Sequence, residues 1–278
     1  MNILLAGEGG QGVQTVAKII TKSAAGAGKF VTYLPSFGVE QRGGVSLAYI
    51  IISDKKIGYP RFQIADLVGA FSNRSIDSIK KYLGKESLLI YDNSIILENT
   101  LLKIRDQVDK FKKIPAQKIA QEKFSVKSSN MLMLGAISTQ IEDLNQEELE
   151  NQIFEEFKEK IAKNPEIKDL NLDAFREGIN IAKGAQDNII SGEVEKPLEN
   201  EFEKDNKKWL RFPQYCKGCS LCIVRCPVKA IKFSEDLGFL NNPLPEVDID
   251  KCIACGKCME ICPDAAIKVE KISSQQVE

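Results

Sequence analysis

The feature that most limits what this chain can become is a duplicated run near its C-terminal end. CKGCSLCIVRCPVKAIKF begins at Cys216 and CIACGKCMEICPDAAIKV at Cys252, so one C-x2-C-x2-C-x3-C-P spacing recurs 36 residues on, each time followed by AIK. All eight cysteines lie between Cys216 and Cys262. Thiols at such spacing make either a disulfide framework or a metal site. The N-terminus MNILLAGEGG runs into an apolar strand with no basic leader, which implies a cytoplasmic protein, and disulfide frameworks are rare in that compartment. Zinc ribbons use two separated C-x2-C pairs, not two sets of four each closed by proline. The chain has no histidine, so Cys/His zinc sites, Rieske-type ligation and histidine acid–base chemistry are excluded within it.

This run resembles the bacterial ferredoxins that carry two 4Fe–4S clusters. In that pattern three close thiolates wrap one cube, and the fourth, before proline, reaches the other. The resemblance implies one cluster on Cys216, Cys219, Cys222 and Cys262, and a second on Cys252, Cys255, Cys258 and Cys226. Small residues in the loops (Gly218, Ser220, Ala254, Gly256) let the backbone pass close to the metal. Lys217 and Lys257 lie inside the loops and read either as solvated side chains or as partial compensation of cluster charge. So small a domain has little apolar core, and ligation must supply much of its folding free energy.

Residues 1–190 alternate strand and helix patterns. NILLA, FVTYLP, SLAYIIIS, LVGAF and SLLIYD read as strands. Helical spacing covers 13–28, 74–83, NMLMLGAIST, NQEELENQIFEEFKEKI and LDAFREGINIAKGAQ. The expected fold is α/β, a Rossmann-like open sheet domain over 1–190 followed by a small α+β ferredoxin-like domain over 209–278. Residues 191–208 carry few apolar side chains and read as a charged linker, or as a strap through Val194, Leu198 and Phe202. No apolar stretch approaches the roughly 20 residues of a membrane helix. A net charge of −1 argues against nucleic acid as a partner.

GEGGQGV follows the first strand, and Gly7, Gly9 and Gly12, with Gly10 between them, satisfy the dinucleotide glycine pattern. A dinucleotide site also needs an acid about 20 residues on, at the end of the second strand. FVTYLP instead runs into Pro35, Ser36, Phe37 and Gly38, with no carboxylate before Glu40. Glu8 puts a negative charge in the turn, unfavourable for a pyrophosphate unless it points away. A tight strand-to-helix turn is the simpler reading. In SFGVEQRGGVS, Arg42 on a glycine-rich loop suits a carboxylate or phosphate, and equally a pairing with Glu40.

GEGGQGV, GVEQRGGVS and the later SNMLMLGA together resemble the gamma subunit of 2-oxoacid:ferredoxin oxidoreductases, of the pyruvate and 2-ketoisovalerate type, over residues 1–185. The tail resembles the delta subunit of the same enzymes, so the chain is similar to a gamma–delta fusion. Val39, where proline is more usual, and Glu8, where a neutral residue is, depart from the pattern. The resemblance implies that thiamine diphosphate and Mg2+ reside on alpha and beta subunits. There a 2-oxoacid, pyruvate foremost, is oxidatively decarboxylated and its acyl group passes to CoA. The two clusters here would carry electrons to external ferredoxin, with no catalytic residue in this chain. The same resemblance places Gln41, Arg42, Ser46 and Asn130 on the CoA side, although Asn130 also reads as a helix N-cap, with Ser128 and Ser129 competing. Relatives acting on oxalate without CoA, on 2-oxoglutarate, or on branched or aryl 2-oxoacids are alternatives. A NAD(P)- or flavin-linked enzyme with a fused ferredoxin domain is another.

Overall fold

Strand β1 (Asn2–Glu8) is buried at six consecutive positions, as a central strand covered on both faces should be. Helix α1 (Val13–Gly26) buries Val13, Val16, Ala17, Ile20 and Ala24. It ends two residues short of the expected span, where Gly28 takes a left-handed φ of +78° and its N–H bonds back to Ala25. There follow β2 (Phe30–Phe37), β3 (Val45–Ser53), β4 (Leu67–Ala70), α2 (Ser75–Ile79), β5 (Leu88–Asp92), α3 (Glu98–Leu101), β6 (Lys110–Ile114) and α4 (Ala116–Lys123). Three further helices complete the unit: α5 (Ser129–Ser138), α6 (Gln146–Lys163) and α7 (Glu166–Gly184). This computed structural model describes residues 1–37, 44–184, 199–213, 215–238 and 242–271. The chain divides into two compact units, Met1–Glu195 and Lys196–Glu278.

The sheet order is β2-β3-β1-β4-β5-β6. β1, β4, β5 and β6 are parallel neighbours, while β3 runs antiparallel to both β1 and β2. Every strand but β3 therefore points the same way. Alternate β1 side chains feed two apolar clusters, Ile3 and Leu5 with α1, α5 and α7, and Leu4 and Ala6 with α2. The strand KFKKI (β6) escapes sequence reading because its three lysines mask the pattern and only Phe111 and Ile114 are buried. Helix α5 is buried from Asn130 through Ser138. Its contact with α7 is backbone to backbone: a Cβ on Gly135 would lie 2.1 Å from the Phe175 carbonyl oxygen, and one on Gly178 2.1 Å from that of Leu132.

In the second unit, β7 (Asn200–Lys204), β8 (Lys207–Arg211), α8 (Leu221–Val224), β9 (Ile231–Leu237), β10 (Pro243–Val247), α9 (Lys257–Glu260) and β11 (Ile267–Lys271) follow in order. They form one sheet ordered β11-β8-β7 and another pairing β9 with β10. The linker reading of 191–208 needs correction over its last part, because β7 and the start of β8 make a hairpin there. Asp205 and Asn206 hold its turn with left-handed φ of 47° and 58°. Charged side chains hide this strand, whose Phe202 stacks edge-on against Trp209 at 5.5 Å. Of the suggested strap, Val194 and Leu198 lie outside the described residues.

The repeat seen in the sequence is also one of structure. β8 and α8 shifted by 36 positions coincide with β10 and α9. Left-handed backbone recurs in register at Gly218 and Ala254, Ser220 and Gly256, and Lys229 and Ala265.

Candidate functional site

In the second unit the two ligand loops enclose two cavities. Cys216, Cys219, Cys222 and Cys262 line one, which holds about 340 Å3 of atom-free space. Cys226, Cys252, Cys255 and Cys258 line the other, of about 320 Å3. None of the eight is in a disulfide. The division is the one the ferredoxin spacing implies. It arises because α8 and α9 each present the third cysteine of their loop inward, at buried Cys222 and Cys258. Among the described residues no group of three or more His, Cys, Asp or Glu could hold a single metal ion. Four thiols spread around a cavity fit a cluster with an iron facing each sulfur. Burial and the neighbouring thiols push Cys216 up to about 11 and Cys222 up to about 12, so thiolates there need a cationic group between them.

The two cavities differ in what else lines them. Lys217 is not solvated: it is ion-paired to Asp264 at 2.5 Å, and both side chains are buried beside the first cavity. Lys257 is exposed. Ile253 and Val228 occupy the corresponding places at the second cavity. Trp209, wholly buried, donates its indole N–H to Cys258 Sγ at 3.4 Å. Lys207 Nζ donates to the carbonyl oxygens of Ile249 and Cys252 at 3.1 and 3.0 Å. Neither role is visible in the cysteine pattern, although the 36-residue repeat would have shown where the halves diverge.

In the first unit the glycine turn is locked from within. Gln11 Oε1 accepts from the Glu8 N–H at 2.7 Å, and its Nε2 donates to the Phe71 carbonyl at 2.8 Å, tying the end of β1 to that of β4. Gly10 and Gly12 need their lack of a Cβ, with φ of +100° and +75°. A Cβ on Gly12 would also lie 2.2 Å from Asn130 Nδ2. Gly7 pairs across the sheet with Ser46, and Gly9 donates to the Gly44 carbonyl. Glu8 is buried, with its Oε2 3.9 Å from Arg74 Nη1, which removes its charge from the open side of the turn.

Of the four CoA-side candidates, Ser46 and Asn130 both adjoin this turn, while Gln41 and Arg42 lie outside the described residues. Ser46 Oγ accepts from Gln14 Nε2 at 2.8 Å, and Gln14 Oε1 accepts from Tyr33. Asn130 does not cap α5, which begins at Ser129 with Ser128 before it and no side-chain cap. It is instead buried against Gly12 with its Oδ1 lacking a hydrogen-bond partner. The N-terminus of α1 likewise receives no side-chain cap and has no acid in its first turn. Strand β2 ends two strands from β1, roughly 10 Å away, because β3 lies between them. An acid there could not reach a ribose at the glycine turn as in a dinucleotide fold.

Residues 2–181 match the family model described as "Pyruvate ferredoxin/flavodoxin oxidoreductase". The chain belongs to the pyruvate ferredoxin/flavodoxin oxidoreductase family. Residues 215–266 of this oxidoreductase chain match the 4Fe-4S dicluster domain. It is 34% identical over 142 residues to 2-oxoglutarate synthase subunit KorC of Methanothermobacter marburgensis, covering 49% of this chain and 75% of that one. It is 33% identical over 141 residues to the pyruvate/ketoisovalerate oxidoreductases common subunit gamma of Thermococcus kodakarensis, covering 48% and 73%. Its fold is similar to the 2-oxoglutarate:ferredoxin oxidoreductase of Magnetococcus marinus, solved with 2-oxoglutarate, coenzyme A and succinyl-CoA bound. The TM-score is 0.59 at 24% identity, over 73% of this chain and 35% of that one. The oxidoreductase chain is thus a gamma-type subunit joined to an iron–sulfur domain. Among its described residues no helix is long and apolar enough to cross a membrane.

Proposed function

We propose that the chain is the electron-carrying, CoA-side subunit of a cytoplasmic complex that oxidatively decarboxylates a 2-oxoacid, with pyruvate as substrate. The observation that carries this reading is a gamma-type unit on the same chain as two cavities, each lined by four cysteines. Cys216, Cys219, Cys222 and Cys262 would hold one 4Fe–4S cluster, and Cys226, Cys252, Cys255 and Cys258 the other. Such clusters supply one-electron transfer at low potential, which suits delivery of a two-electron oxidation to external ferredoxin in single steps. Thiamine diphosphate and Mg2+ belong to companion alpha and beta subunits.

The first unit's part is to bind and orient CoA. The uncapped N-terminus of α1 offers N–H groups to a phosphate, with exposed Gly9 and Gly10 allowing close approach. Asn130 Oδ1, unpartnered beside Gly12, is an acceptor for a donor on the ligand. Gln41 and Arg42, outside the described residues, are taken as CoA contacts from the sequence resemblance alone, and Ser46 holds the strand beside the turn through Gln14.

The test is anaerobic purification from the native source. Stoichiometric thiamine-binding subunits and about eight irons per chain are the expected result, and a lone chain carrying flavin would overturn the proposal. Arg42→Ala should raise KM for CoA while leaving that for the 2-oxoacid unchanged; an unaltered KM for CoA would reject its role.

A further inference from the structure

Because the tail is a tandem repeat, each residue around one cavity has a counterpart 36 positions away around the other. At the first and fourth cysteines of each loop the backbone donors to sulfur match. The Ala230 N–H reaches Cys226 Sγ at 3.2 Å and the Ala266 N–H reaches Cys262 Sγ at 3.3 Å. The Ala254 N–H reaches Cys252 Sγ at 3.4 Å, as that of Gly218 bonds to Cys216. The side-chain donors do not match. Trp209 on β8 bonds to Cys258 Sγ, and its counterpart on β10 is Pro245, which lines the first cavity and has no N–H at all. Lys207, two residues earlier on β8, brings a cation to the Cys252 carbonyl, and its counterpart is Pro243. The first cavity's own cation, Lys217, is offset by Asp264.

We infer that Trp209, seconded by Lys207, makes the cluster site of Cys226, Cys252, Cys255 and Cys258 the higher in potential of the two. This rests on the cluster reading proposed above. A donor on a coordinating sulfur and a nearby cation both stabilise the more negative, reduced form of a cluster. β8 thus carries at alternate positions two groups that favour reduction at the second site, where β10 has proline at both matching positions and presents Pro245 to the first. With both clusters bound, the transfer would be of one electron, the first site going from reduced to oxidised as the second goes from oxidised to reduced, with no bond or proton changed. β8 would then favour transfer toward the Cys258 side.

The experiment is a potentiometric titration, followed by electron paramagnetic resonance, of the full chain with clusters assembled anaerobically. Trp209→Phe keeps a ring against Phe202 and removes the donor. The higher of the two midpoints should fall, by up to about a tenfold loss in the reduced-to-oxidised ratio at fixed potential, or about 59 mV for one electron. The lower midpoint should stay where it is. Replacing Trp209 with benzothienylalanine, a ring of the same shape without the N–H, should give the same fall with packing retained. Lys207→Met should move the same midpoint by less. Full iron content with an unmoved higher midpoint, or a shift in the lower one, would overturn the inference. Iron well below eight atoms in the parent chain would instead remove the cluster reading beneath it.

Discussion

In residues 1–184 the core is aliphatic and lies on both faces of a six-stranded sheet, whereas in residues 199–271 two small sheets and two short helices surround cysteines. The main apolar cluster of the tail has seven buried members, of which Cys222 and Cys258 are two, so sulfur takes the place that leucine and isoleucine hold in the sheet unit. One unit is stabilised by removing carbon from water, the other by joining its ligands to metal. The lesson is that the sheet unit should tolerate loss of metal and the tail should not, while close packing should matter more in the first than in the second.

The largest effect should come from iron removal. Anaerobic chelation should unfold the tail, read as proteolytic cleavage within 199–271, while 1–184 stays resistant. Cleavage spread evenly over both units would break the contrast. Next in size is Gly135→Ala, which forces a methyl group onto the Phe175 carbonyl and should destabilise the sheet unit by about 3 kcal/mol or more. Denaturant unfolding should show this loss, with the cluster absorbance lost at an unchanged denaturant concentration. Smaller again is a pH effect. Burial raises Asp92 to about 6, against hydrogen bonds from the Ser94 and Gln117 N–H groups that favour its charge. A carboxyl with its folded pKa above the unfolded value contributes stability that is complete below about pH 4 and is lost as pH rises through about 6. The sheet unit should therefore gain about 2 kcal/mol from this group between pH 7 and 4. Asp92→Asn should flatten that slope, and an unchanged slope would sharpen the question of which other group titrates.

Strands with plain apolar patterns were legible: NILLA, FVTYLP and SLAYIIIS lie in strands, as do LVGAF without Phe71 and SLLIYD without Ser87. β6 and β7 were not, because their lysines and glutamates face solvent on strands with few buried positions. Asn130 was legible as a residue of interest and misread as a cap, since capping is a local pattern and its neighbour Gly12 is far away in sequence. For Lys217 neither reading, solvated or compensating cluster charge, included its ion pair, for the same reason: Asp264 belongs to the other half of the repeat.

By itself the sequence determined that this chain ends in a metal-binding repeat and begins with an α/β sheet, because cysteine spacing and apolar periodicity are properties of neighbouring residues. Only the tertiary structure decided that β3 separates β2 from β1, that Gly12 makes room for Asn130, and that Trp209 meets Cys258 where Pro245 faces the first cavity. These are meetings of distant segments, set by how sheets and helices close on one another, and no local pattern encodes which side chain arrives at which sulfur.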